Sequence, residues 1–187
     1  SLSLKYGFKI IEDASHATGG KYDGQPVGSC KYSDITVFSF HPVKIITSGE
    51  GGMAVTNSQQ YMLSMASLRS HGITRNPNLM TIEPEGAWFY QQLELGFNYR
   101  MSDIHAALGF SQLNRLDEIV LERNRLLECY SNLVQDIPLT ILKIPDNVVS
   151  SVHLAIARLT DGKAGQHRQI FEGLRAKAIG VQLHYSP

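Results

Sequence analysis

The chain has 187 residues, 43% hydrophobic and 18% charged, which is apolar enough for a packed core and excludes a disordered tail. Basic and acidic residues each number 17, and this balance argues against nucleic acid or an anionic membrane as the main partner. No apolar run approaches a membrane span, no basic start leads into an apolar stretch, and Cys30 and Cys129 match no metal spacing, so a cytoplasmic protein is expected.

The opening SLSLKYG reads as the end of a helix, with Gly7 as its C-cap. FKIIE (8–12) reads as a short strand. GKYDGQPVG (20–28) carries Asp23-Gly24, a hairpin turn signal. ITVFSF (35–40) is apolar at nearly every position, as in a strand covered on both faces. MAVT (53–56) reads as another strand. Asn57 is a candidate cap for a helix from 58 to about 70, which Gly72 ends.

Residues 73–97 hold Pro77, Pro84, Gly86 and Gly96 beside Trp88, Phe89 and Tyr90; so long a loop is expected to be functional or an interface. Ser102 caps the next helix. Beyond it Leu113, Leu116, Val120, Leu127, Tyr130 and Val134 keep three-and-four spacing, with polar Arg123 at one seam position. From about 139 the pattern becomes strand (VHLAIARL), helix (about 165–178) and strand (VQLHY), as in part of a second, smaller α/β domain.

Lys44 follows the apolar run 35–40 in a loop of little other charge, FHPVKIITSGEGG. A lysine of lowered pKa is a nucleophile toward aldehydes, whereas most lysines are solvated surface charges. Asp13 ends a predicted strand, where sheet enzymes keep their ligands. It can cap a turn or pair with a pyridinium nitrogen. Opposite charges about 4 Å apart gain roughly 4 kcal/mol at an effective dielectric of about 20, enough to keep such a nitrogen protonated. His16 lies three positions on, and alone reads as a turn histidine. Ser39 can hydrogen-bond a phosphate or simply the backbone. His41 shapes the lysine loop. Gly49, Gly51 and Gly52 serve backbone geometry and not a phosphate loop, because the GxxxxGK[ST] spacing is absent. Asn98 and Arg100 stand just ahead of a helix N-terminus, suited to an anion or to surface decoration. A metal centre on His16, His41 and His71 matches no common zinc spacing.

IIEDASHA, SDITVFSFHPVK, GEGGMAVTN, LRSHGI and GFNYRMSDIHAALGFSQL, in this order, resemble the DegT/DnrJ/StrS sugar aminotransferases. The likeness is strong to about residue 125 and looser through SSVHLAI and HYSP. Within the family the wording resembles most the transaminases of pseudaminic acid biosynthesis, which aminate C4 of a UDP-linked 4-keto-6-deoxy-N-acetyl sugar. The resemblance implies an α/β fold, part of the large domain of PLP-dependent transferases of fold type I plus part of the small C-terminal domain. The implied divisions are 1–113 for the large-domain half, 114–138 for a connecting helix and 139–187 for the partial small domain.

The resemblance also implies roles. Lys44 holds pyridoxal 5′-phosphate as a covalent aldimine and later moves a proton. Asp13 partners the pyridine nitrogen, His16 stands by the cofactor ring, and Ser39 binds the phosphate. Asn98 binds the phosphate from the other subunit of a dimer, and Arg100 in the same segment meets an anionic substrate group. His184 and Tyr185 fall at sugar contacts. The donor is glutamate-type, the partners are a UDP-linked ketosugar and a second copy of the chain, and no metal is used. Two departures limit this. Family members carry a large N-terminal portion before the equivalent of Phe8, so a fragment is expected, incomplete in catalysis or serving only assembly. Val152 stands where relatives often carry Trp before His-Leu.

Overall fold

The computed structural model describes residues 2–160 and 162–184. Helix α1 (Leu2–Tyr6) ends at Gly7, whose φ of 70° and N–H bond to the Ser3 carbonyl at 2.7 Å make the expected cap. The first strand is shorter than the apolar run suggested, only β1 (Ile11–Asp13). The hairpin forms as expected, from β2 (Lys21–Tyr22) and β3 (Gln25–Pro26). Asp23 at φ 47° and Gly24 at φ 73° give the two left-handed positions that such a turn requires.

Strand β4 (Ile35–Ser39) pairs parallel with β1 and antiparallel with β5 (Gly52–Val55), giving the order β1-β4-β5. The expectation that 35–40 is covered on both faces is corrected: only Thr36 is fully buried, and the neighbouring strand residues are half-buried. The Thr36 hydroxyl donates to Glu12 Oε2 at 2.8 Å, which satisfies a polar group in the middle of the sheet.

Helix α2 (Gln59–Arg69) is capped by Ser58, not Asn57; the Ser58 hydroxyl accepts from the Tyr61 N–H, while Asn57 Nδ2 reaches back to the Ser29 carbonyl. The segment 73–97 is less irregular than its composition suggested. It contains β6 (Ile73–Thr74) paired with β7 (Gln91–Gln92) and a 3-10 turn at Pro77–Leu79. Ser102 caps α3 (Asp103–Leu113) as expected.

Helix α4 (Leu116–Leu133) runs 18 residues and is followed by β8 (Leu139–Ile141), β9 (Val148–Val149), β10 (Ala157–Leu159) and α5 (His167–Ala176). Strand β10 is shorter than the predicted run from Val152. Residues 181–184 form no strand, which corrects the VQLHY expectation over those positions; Tyr185 lies outside the described residues. Strand β9 does not join β8 and β10. It adds to the hairpin, with Lys21 opposite Val149 and Tyr22 opposite Val148, and so ties the C-terminal half to the segment that leaves β1.

Among the described residues the buried apolar side chains are Ala14, Ile45, Ile46 and Val152. The chain exposes 13843 Å², against about 8,900 Å² for a compact monomer of its mass. Trp88 (76% exposed), Leu95 (81%) and Ile104 (83%) lie on this open surface. Among the described residues no helix is long and apolar enough to cross a membrane.

Candidate active site

Because β1 and β4 are parallel, their C-terminal ends lie along one edge of the sheet, with Asp13 level with Val37 and Ser39 two residues beyond. That edge is where open α/β sheets bind ligands. Asp13 Oδ1 accepts from the hydroxyl and the backbone N–H of Ser15, at 2.5 and 3.0 Å. The capping alternative for Asp13 is therefore realised, as an Asx turn. The same two bonds hold its carboxyl below the usual carboxylate range, and the positive charges of His16 and Lys44 push it the same way. A carboxylate fixed in its charged form serves both purposes.

Lys44 is half-buried and stands next to Ile45 and Ile46, each 4% exposed, which root the loop in the core. The loop closes on the carbonyl of Phe40, which accepts from the Ser48 N–H and the Thr47 hydroxyl, both at 3.0 Å. The Lys44 N–H donates to the His41 carbonyl at 2.9 Å. His41 Nδ1 accepts from the Val43 N–H at 3.3 Å, so this imidazole shapes the loop. Helix α3 packs against this loop. A Cβ on Gly109 would come within 3.3 Å of Ser48 Cβ, and one on Gly51, at φ 145°, within 2.5 Å of Met101 Cε. The glycines thus serve backbone geometry and close approach.

His16 lies within electrostatic reach of Lys44 and Asp13. His16 is exposed, yet partial desolvation of its ring lowers its pKa first and the Lys44 charge second; Asp13 opposes, and His184 adds to the lowering. The sequence reading did not single out His153. Its ring meets that of His16 at a centroid distance of 4.2 Å and 45° between planes. Burial, followed by the neighbouring His16, Lys44, Arg123 and His184, pushes His153 down to about 4. The signal available in the sequence was the polar Arg123 on the apolar seam of α4. Its Nη1 donates to the carbonyls of Val152 at 3.0 Å and His153 at 3.4 Å.

The structure thus gathers Asp13, His16, Lys44 and His184, with Ser39 on the same sheet edge. The Ser39 Oγ accepts from the His41 N–H at 3.4 Å, and among the described residues its O–H donates to no acceptor. Asn98 and Arg100 are not brought to this cluster by any hydrogen bond or ion pair among the described residues. Asn98 bridges to Ser70, and its neighbours Phe97 and Tyr99 donate to the Leu68 and Arg69 carbonyls at the end of α2. Tyr185 lies outside the described residues.

The donor set fits pyridoxal phosphate. It offers an amine on a fixed loop, an ionised carboxylate suited to a pyridinium nitrogen, an imidazole within electrostatic reach of both, and a hydroxyl with a proton to give to a phosphate. Among the described residues no group of three or more His, Cys, Asp or Glu side chains could hold a metal ion.

Fold and site together define an α/β protein of the PLP-dependent transferase class, fold type I. The chain belongs to the DegT/DnrJ/EryC1/StrS aminotransferase family, whose profile matches residues 1–187. It is 39% identical, over all of its length and 47% of the relative's, to a UDP-4-amino-4,6-dideoxy-N-acetyl-beta-L-altrosamine transaminase of Campylobacter jejuni subsp. jejuni serotype O:23/36 (strain 81-176). The structure of Helicobacter pylori PseC, an aminotransferase involved in the biosynthesis of pseudoaminic acid, superposes with a TM-score of 0.87 at 30% identity, over 100% of this chain and 47% of that one. The PMP form of a putative sugar aminotransferase, Spr1654 of Streptococcus pneumoniae, gives 0.85 at 28%, over 100% and 48%. The chain spans about half the length of the curated relatives it matches.

Proposed function

We propose that this chain carries the lysine-bearing half of a PLP-dependent aminotransferase acting on a UDP-linked 4-keto-6-deoxy sugar, with a glutamate-type amino donor. The observation that carries the reading is the placement of Lys44, His16 and an ionised Asp13 around one sheet edge. When bound, pyridoxal phosphate supplies the electron sink for amino transfer. Lys44 Nζ would hold the cofactor at its aldehyde carbon, with loss of water, and, once freed by the incoming amine, would act as the acid–base group for the proton at the sugar carbon. Asp13, held charged by Ser15, would pair with the ring nitrogen and favour its protonated form. His16 flanks the ring, and the Ser39 O–H donates to the phosphate. Asn98 serves the phosphate site of a second copy, and Arg100 an anionic substrate group; the backbone of this segment is held by the end of α2. His184 and Tyr185 serve the sugar.

In this reading 1–113 is the cofactor-domain half, α4 within 114–138 the connector and 139–187 the partial small domain, working as a homodimer in the cytoplasm. The test is borohydride trapping. The chain is mixed with equimolar pyridoxal phosphate, reduced, and mapped by mass spectrometry. One adduct at Lys44, lost in Lys44→Ala, supports the reading; scattered labelling that Lys44→Ala leaves unchanged overturns it.

A second reading, a non-catalytic assembly fragment that keeps the fold but holds no cofactor, draws on the exposed 13843 Å². Failed trapping together with strong self-association would favour it.

A further inference from the structure

We propose that His153 is a positioning residue of the cofactor site, holding the His16 imidazole in place through ring packing and coupling it to α4. The proposal rests on the cofactor reading given above and assigns a residue outside its ligand set. Four independent features aim this ring. Its centroid lies 4.2 Å from that of His16. Arg123 clamps the carbonyls of Val152 and His153 from the middle of α4. The Ser151 hydroxyl donates to the His16 carbonyl at 3.3 Å, so the two histidines are joined through their backbones as well. Val152 is buried at φ 50°, a conformation that a β-branched residue adopts only under constraint.

The surrounding structure over-determines this backbone, and the product of the strain is the direction of the next side chain. Strained residues of this kind concentrate at functional sites. His153 Nδ1 is buried with no hydrogen-bond partner among the described residues, so a hydrogen bond at that nitrogen does not explain the ring's placement. Packing against His16 does. The charged and titratable groups facing His16 are Lys44, Asp13 and His184. His16 is itself exposed, so the ring it packs on sets its direction within reach of Lys44 and Asp13; without His153 that contact is lost and the ring turns freely.

The experiment reads His16 directly, in the full chain without cofactor, by NMR of its imidazole. Ring-to-ring Overhauser effects between His16 and His153 are expected; their absence overturns the proposal whatever any variant does. In His153→Ala the His16 titration midpoint moves up toward the ordinary 6.5, while circular dichroism and Tm report whether the fold is kept. His153→Phe, which restores the packing surface without ring nitrogens, is expected to return the midpoint to its original value. A folded His153→Ala with an unmoved midpoint overturns the proposal. So does a His153→Phe that behaves like His153→Ala. If His153→Ala does not fold, His153→Asn is read against the same outcomes. Because no cofactor is present, failure here is distinct from failure of trapping at Lys44.

Discussion

Arg123 in the middle of α4 donates through one nitrogen to the carbonyls of Val152 and His153, at 3.0 and 3.4 Å. One side chain therefore fixes the segment that carries His153 to the ring of His16 at the sheet edge. Asn124, the next residue, adds a bond to the Ser150 carbonyl at 2.9 Å.

Arg123→Ala should cost about 1–3 kcal/mol, because a charged donor is lost and half-buried carbonyls are left unpaired. Urea unfolding gives the number. Arg123→Lys should recover only part of the loss, since an ammonium lacks the planar fork of the guanidinium. A wild-type midpoint in Arg123→Ala would mean that solvent replaces the clamp without loss.

Acid should weaken the fold through His153. Its folded pKa is about 4, against an ordinary 6.5. Between those values the unfolded chain takes up a proton that the folded chain does not, so stability falls as pH drops through this window. His16, also lowered, acts in the same direction. Unfolding free energies at pH 7.5, 6 and 5 should decline, and His153→Phe should flatten the decline.

Asp13 is charged where a histidine is neutral, but its pKa is lowered too and so gives the same pH dependence. Its lowered carboxyl contributes stability that is complete above about pH 4 and disappears as pH falls below its folded value. Ser15→Ala removes the hydroxyl bond and should raise the Asp13 pKa, seen in carboxyl carbon shifts. An unchanged Asp13 pKa would place the cause elsewhere.

Gly51→Ala should destabilise the lysine loop by about 1–3 kcal/mol. The backbone there is left-handed at φ 145°, and the new methyl would sit 2.5 Å from Met101 Cε. Met101→Ala in the same chain should relieve only the Met101 contact, leaving the contact to buried Ser48 Oγ at 2.8 Å and the backbone strain. Thermal unfolding of the single and double variants separates the Met101 contact from the rest.

The open surface makes a prediction about size. With 13843 Å² exposed, against about 8,900 Å² for a compact monomer, the chain should elute in gel filtration well above its monomer mass. Substituting Trp88 and Leu95 by Ser should shift it toward monomer. A compact monomer at every concentration would overturn the oligomer expectation.

The residue order by itself determined several local turns and caps and the family. Asp23-Gly24 fixed the hairpin, Ser102 the start of α3 and Gly7 the end of α1, because caps and turns depend on neighbours a few positions away. The motifs around Asp13, Lys44 and Asn98 pointed to the family through their wording and order. Tertiary structure alone decided that Asp13 both caps a turn and stays charged, and that β9 leaves its neighbours to extend the hairpin. It alone brought His153 to His16, across a separation of more than a hundred residues that no periodicity registers. Arg123 shows why: its charge on an apolar seam was visible in the sequence, but its partners are backbone carbonyls, and a carbonyl has no letter in a sequence.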